Sequence, residues 1–436
     1  MQSLIDIFKN HWKAIAITFT IGKFLWESYI NNNQLNKIEN EIVLHQKSYG
    51  DNINLLVNDK YEQSLLNLKN LVKLTLNKLS FNLIKDLLII YFDVYNVIWV
   101  LSKKINEHLS FILPINSICQ TIIFTIISNI LIFCWGIPIQ FYGEFIVSDF
   151  PKREKPINWL MIQYSILIFK ILGDSIKILG SLIIIKFIKN FPIWQISLGY
   201  FIYSITRISL APIYINLTAG PNFLKPIPNG ELKDEILNLC SKIGFDSNSI
   251  YLTDFEFSSM GFNYLPNMIT INERTRSIFT IKELSSIILQ CILQIKLNLH
   301  LQKQIINSII LYINLFFFEK ILFKDNNVIN QFGFKIDKNQ SNNLIFIKYL
   351  IFNKIFIPIN IIIGLIKNYL NKRKIYQIDQ STFEIYKIEF LNSMIKMKNN
   401  NTLKNFENDS IYNLYYSEIP SFNKRIEFLK ENNKIE

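Results

Sequence analysis

Glu283 to His300 reads ELSSIILQCILQIKLNLH. The middle of this stretch is apolar on every face, the pattern of a helix packed on all sides rather than of an amphipathic surface helix. Two glutamines interrupt it, Gln290 and Gln294, with Cys291 between them. A spacing of four stacks the two amides on one side of a helix. An enclosed helix with two polar groups on one stripe needs partners for them, and the rest of the chain must supply those partners.

Zinc metalloproteases place His, Glu and His at this same spacing on one helix. Here the three positions hold Gln290, Cys291 and Gln294. The stretch resembles the catalytic helix of the type-1 CAAX prenyl endopeptidase family, which is membrane-embedded and zinc-dependent. Glu283, Leu284, Ile288, Lys296 and Leu297 fit that family's frame. The family's next His falls on Leu299, one position short of His300.

Other stretches follow in the same order. Ala211-Pro212-Ile213-Tyr214, then Pro226-Ile227-Pro228-Asn229-Gly230-Glu231-Leu232-Lys233, is similar to the family's Ala-Pro-Leu-Phe and Pro-Leu-Pro-x-Gly-x-Leu-Lys. Ile250-Tyr251-Leu252 and Asn267-Met268-Ile269-Thr270-Ile271 resemble its two strands before the zinc helix. Lys372-Arg373-Lys374-Ile375-Tyr376-Gln377-Ile378-Asp379 is similar to Arg-Arg-x-Glu-x-Gln-Ala-Asp. That puts Ile375 at the third zinc-ligand position and keeps Asp379. Tyr416-Ser417-Glu418-Ile419-Pro420, followed by Arg425-Ile426, resembles Tyr-Ser-His-Pro followed by Arg-Leu, with the His missing. The collinearity of these motifs carries the resemblance more than any one of them.

The composition points to a membrane protein. Half of the 436 residues are hydrophobic, and they gather in long apolar runs. The net charge of +12 suits Lys and Arg on loops and helix ends facing an anionic leaflet. No basic cluster with interleaved aromatics stands out, so nucleic acid is not an expected partner. Cys119, Cys134, Cys240 and Cys291 have no metal-ligand or redox spacing. The first apolar run follows His11 and Lys13 without a small-residue cleavage site, so it reads as a signal-anchor that stays.

Read in order, candidate spans fall at 14–30, 85–101, 111–147, 157–190, 193–215, 303–323 and 344–370. Lys23 and Glu27, four apart in the first, can pair across a turn. Asp93 and Asn96 lie inside the second, where charges ordinarily face a bundle interior or water. Residues 31–83 read as an extramembrane helical hairpin, and the basic segment Ser148–Pro156 as a cytoplasmic-side loop. The expected fold is mainly α: a polytopic protein of about seven transmembrane helices with a small α+β part. The expected segments are 1–216 with spans 1–5, 217–300 with the soluble insert and the zinc-helix equivalent, 301–370 with spans 6–7, and a helical 371–436. The resemblance adds a chamber enclosed by the spans, a metalloprotease-like domain at one mouth, and residence in the endoplasmic reticulum or nuclear envelope membrane. The activity it implies is endoproteolysis of prenylated proteins and of some translocon-clogging polypeptides.

The altered positions bear on that activity. A catalytic zinc takes three protein donors, drawn from His, Cys and carboxylates, plus water. Gln290, Gln294 and Ile375 supply none of these. Cys291, at the general-base position, is a thiol in apolar surroundings and stays protonated. No metal or catalytic set is therefore expected among Gln290, Cys291, Gln294, Ile375, Asp379 and Glu418. His300 is nine residues from Cys291, which on a continuous helix turns it to the opposite side, about 13 Å along. His11, His45 and His108 form no motif, and no sequence signature supports a cysteine protease at Cys291. The expected partners of Gln290 and Gln294 are each other, the backbone or Asp379. Three readings follow: a pseudoprotease that binds prenylated or hydrophobic polypeptides, an active enzyme with a relocated site, and a structural or transporter-like membrane protein.

Overall fold

The computed structural model describes residues 11–48, 55–109, 117–147, 155–188, 192–210, 224–253, 262–265, 268–320, 327–334, 344–399 and 406–433. Long helices carry most of them. In chain order these are α1 (Trp12–Ser48), α2 (Leu55–Tyr91), α3 (Val94–His108), α4 (Ser117–Tyr142), α5 (Pro156–Ile188), α6 (Ile193–Ser209), α7 (Glu231–Ile243), α8 (Ile281–Lys296), α9 (Leu299–Phe318), α10 (Ile345–Ile355), α11 (Ile357–Asn399), α12 (Ser410–Tyr416) and α13 (Phe422–Asn433). The chain divides into two compact units, one of residues 1–193 and 313–363, the other of residues 194–312 and 364–436.

In the first unit α1 and α2 run antiparallel along each other. Gln46 donates to Glu62 at 2.8 Å, Tyr61 donates to Glu41 at 3.2 Å, and Lys69 pairs with Glu39 at 3.0 Å. Lys23 and Glu27 pair at 3.8 Å across one turn. The core of this unit gathers Ala16, Ile90, Phe124, Ile329, Ile347 and Phe352, all 2% exposed or less.

The expected span at 85–101 is not one helix. α2 ends at Tyr91, and Asp93 takes a left-handed backbone (φ 52°) before α3 starts at Val94. Asp tolerates that region better than most residues, and Lys13 pairs with its carboxylate at 2.8 Å. A charge read as sitting inside a span is therefore a helix boundary. The expected run at 344–370 also breaks, at Phe356, where α10 and α11 meet at 66°. Among the described residues, three helical stretches are long and apolar enough to cross a membrane: Ile118–Val147, Pro156–Ile176 and Leu299–Phe318. A fourth is added if the bent pair counts as one span.

The second unit holds a four-stranded sheet ordered β1-β2-β4-β3. Its strands are β1 (Lys225–Pro226), β2 (Ile250–Thr253), β3 (Phe262–Leu265) and β4 (Met268–Asn272). β2 and β4 run parallel, with Ile250 opposite Ile269; β1 and β3 are antiparallel to their neighbours. Every residue of β4 is buried, as befits a central strand covered on both faces. The two strands read from sequence are β2 and β4. α7 closes on Gly244, whose left-handed φ of 67° favours glycine. Its Leu232, Ile236 and Leu239 join Ile269 and Ile271 of the sheet, and Leu284, Ile288 and Ile292 of α8, in one core.

Candidate functional site

α8 begins with a capping box. The Glu283 N–H donates to Thr280 Oγ1 at 3.4 Å, and the Thr280 N–H donates to the Glu283 carboxylate at 2.8 Å. Residues 283–292 are buried without a break, and exposure returns from Lys296. The helix stops there, short of His300, the end of the stretch read from sequence. Leu297 and Asn298 form a turn with Asn298 left-handed (φ 50°), and α9 starts at Leu299. The continuous helix that would have set His300 opposite Cys291 is thus replaced by two, and the half-buried His300 belongs to α9.

One stripe of α8 faces α11. Glu283 Oε2 pairs with Lys396 at 2.6 Å. Ser286 donates to Ser393 at 3.4 Å, and Gln290 Nε2 donates to Asp379 Oδ1 at 2.7 Å. Positions 283, 286 and 290 are one face of a helix, and their partners descend in number, so the helices run antiparallel. Residues 286 and 290 lie about 6 Å apart along α8, whereas 393 and 379 would lie roughly 21 Å apart on a straight helix. α11 resolves this with a break at Lys387 (φ 35°, ψ −108°). Both of its limbs therefore reach α8.

Asp379 is fully buried and doubly engaged. Arg425 of α13, 5% exposed, donates from Nε to Oδ2 at 2.7 Å and from Nη2 to Oδ1 at 2.8 Å. Such a two-pronged pair matches the guanidinium to the carboxylate plane. Three helices thus meet at one carboxylate: α8 through Gln290, α11 through Asp379 and α13 through Arg425. α11 and α13 also share an apolar contact of Phe383, Phe390, Met394, Ile426 and Leu429.

Gln294 and Ile375 sit one turn further along α8 and α11, displaced in the same direction because the helices are antiparallel. Both are half-buried, and Gln294 has no hydrogen-bond partner among the described residues. Cys291 is buried, and burial pushes its thiol up to about 12, with the nearby Arg425 charge working weakly against this. Glu418 does not join these groups. It accepts from Lys303 at 3.1 Å and from Lys367 at 3.0 Å. Burial works to raise its carboxyl, but the two lysines outweigh it and hold the group below the ordinary range. Among the described residues, no three His, Cys, Asp or Glu side chains are grouped so as to hold a metal ion.

Arg425 was quoted in sequence only as part of a motif, and its partnership with Asp379 was missed. The signal was available: a carboxylate expected beside an enclosed helix needs a cation or several donors.

Similarity to known proteins runs over nearly the whole chain. Residues 51–216 match the family described as CAAX prenyl protease N-terminal, five membrane helices. Over 455 residues the chain is 22% identical to CAAX prenyl protease 1 of Saccharomyces cerevisiae, covering 98% of this chain and 97% of that one. The chain is thus similar to CAAX prenyl proteases along nearly its whole length. Probable CAAX prenyl protease 1 of Schizosaccharomyces pombe is 24% identical over 464 residues, covering 99% and 92%. The crystal structure of S. mikatae Ste24p shares the fold, with a TM-score of 0.73, 20% identity, and coverage of 96% of this chain and 99% of that one. The chain is a mainly helical membrane protein with a small sheet.

Proposed function

We propose that this chain is a non-catalytic member of the CAAX prenyl protease family, which binds prenylated or hydrophobic polypeptides in the membrane and cleaves nothing. The observation that carries this reading is the bond from Gln290 to Asp379. A zinc-bound histidine usually donates its second ring N–H to a carboxylate, which fixes its orientation. Asp379 offers that carboxylate, and an amide has taken the donor's place. The support around the position is kept while the residues that would grip the ion are two neutral amides, Gln290 and Gln294, and a hydrocarbon, Ile375. Amide oxygens are poor donors to zinc and suit harder cations. The residues present do not fit zinc.

The base position fails separately. Cys291 is buried, with its thiol pushed up to about 12. It holds its proton at neutral pH and cannot take one from an attacking water. What remains is a packed helix pair without a nucleophile, in a family whose relatives are named for acting on prenylated proteins. The reading places the chain in the endoplasmic reticulum or nuclear envelope membrane, with about seven spans around a chamber.

The test is full-length protein purified in detergent. Elemental analysis is expected to find far less than one zinc per chain, and a farnesylated peptide ending in a CAAX sequence is expected to bind without being cut. Near-stoichiometric zinc with chelator-sensitive turnover overturns the reading.

A further inference from the structure

α6 and α9 face each other across a cleft and turn the same pattern toward it. Trp194, Ser197 and Phe201 line it from α6, and Ile305, Ser308 and Tyr312 line it from α9. In each helix the three positions are i, i+3 and i+7, which lie on one face. The space between them is about 330 Å³, within the size of small-ligand sites, roughly 300–1,000 Å³. α9 is apolar enough to cross a membrane, and α6 lies inside the segment matched as five membrane helices.

The two serines decide what the space is for. Ser197 is 6% exposed. Among the described residues, neither its hydroxyl nor that of Ser308 has a hydrogen-bond partner, and both oxygens are closed off from solvent. Hydroxyls on apolar helices ordinarily bond the carbonyl one turn back. Thr206 does so to Ile202 at 2.9 Å on α6 itself, and Ser165 to Met161 at 2.9 Å on α5. Serines that face each other in membrane helices otherwise bring the helices close and bond across the interface. Ser197 and Ser308 do neither. With no water in hydrocarbon, an orphaned hydroxyl is costly. An occupant of the cleft must therefore bring a polar group for them.

The rest of the lining narrows the chemistry. Among the described residues no charged side chain lines the cleft, so a carboxylate or phosphate would be buried there without a counter-ion. Trp194 and Tyr312 are 55% and 40% exposed, so the cleft opens between apolar side chains. We propose that it binds a neutral lipid alcohol, an apolar body carrying one hydroxyl. That hydroxyl accepts a hydrogen bond from one serine and donates one to the other. Trp194, Phe201, Ile305 and Tyr312 pack against the body. The proposal does not rest on the reading of the Gln290 site.

The experiment is photolabelling of full-length protein in phosphatidylcholine nanodiscs with hexadecanol carrying a mid-chain diazirine, mapped by mass spectrometry. Saturable labelling is expected within 194–201 and 305–312. Unlabelled hexadecanol should displace it, whereas hexadecane should need about tenfold more, since it leaves both serines orphaned. Ser197→Ala and Ser308→Ala should each weaken labelling about fivefold. Thr206→Ala, whose hydroxyl is satisfied on its own helix, should leave it unchanged. In the absence of the alcohol, Ser197→Ala should melt no lower than the wild type, because it removes a hydroxyl that bonds nothing in the protein; a lower melting temperature would show an internal structural role instead. Labelling spread evenly over the exposed faces of α4 and α5, displacement by hexadecane as effective as by hexadecanol, or serine variants labelled like the wild type would overturn the proposal.

Discussion

Arg425→Met tests whether one carboxylate joins three helices. The guanidinium makes two bonds to Asp379, at 2.7 and 2.8 Å, with the carboxylate fully buried and the arginine 5% exposed. Removing the cation leaves a buried charge with only the Gln290 amide beside it. Breaking a buried pair from one side costs about 3–5 kcal/mol. Replacing both partners, as in Arg425→Met with Asp379→Leu, removes the stranded charge. What remains is the Gln290 amide without an acceptor, costing about 1–3 kcal/mol. The double variant is therefore expected to be more stable than Arg425→Met alone. The assay is hydrogen exchange of amides at 286–292 in detergent, which reads the opening free energy of α8 directly. Arg425→Met should speed exchange there by roughly two to four decades. A loss below about 1 kcal/mol, or a double variant costing the sum of its singles, refutes the reasoning.

Reinstating donors with Gln290→His, Cys291→Glu, Gln294→His and Ile375→Glu together is expected to yield near-stoichiometric zinc by elemental analysis; no gain would show that α8 and α11 no longer hold the spacing. Burial pushes Cys291 up to about 12 and Cys240 up to about 11, with Asp246 adding to the latter. At pH 8 both thiols should resist iodoacetamide in the native protein and react once it is unfolded; mass spectrometry after a short pulse reads this, and rapid native labelling contradicts it. Lys396→Met strips Glu283 of its cation and should cost about 1–2 kcal/mol in the stability of α8. Burial works to raise the Glu283 carboxyl, but Lys396 and Thr280 outweigh it and hold the group below its ordinary value. That stability is present above the ordinary carboxylate range and is lost as pH falls through the lowered value. Exchange in α8 should therefore rise on acidification in the wild type and change less in Lys396→Met.

The sequence showed α8 and its partner because an enclosed helix must satisfy its amides, and Asp379 stood at a matched motif. It showed β2 and β4 because their residues are apolar and β-branched. It did not show β3, whose four residues, FNYL, alternate too briefly to register. The break at Lys387 was invisible, because nothing in the local residues asks for a positive φ; the demand comes from two contacts on α8 that a straight α11 could not both reach. The ends at Asp93 and Asn298 were misread for a related reason. Periodicity continues through both, and only a left-handed backbone at residues that tolerate it marks the stop. Arg425 escaped notice because its partner lies 46 residues away in the chain.

The left-handed turn at Asn298 has a bearing on how the polypeptide is made. Without it, Ile281 to Phe318 would emerge from the ribosome as one apolar rod of roughly 57 Å, nearly twice the hydrocarbon thickness of a bilayer. The insertion machinery would have no cue for which part to release into lipid. With the turn, the twenty residues Leu299–Phe318 match that thickness as a separate segment. Ile281–Lys296 is then left to fold against its own sheet. One asparagine thus assigns two apolar helices to different solvents.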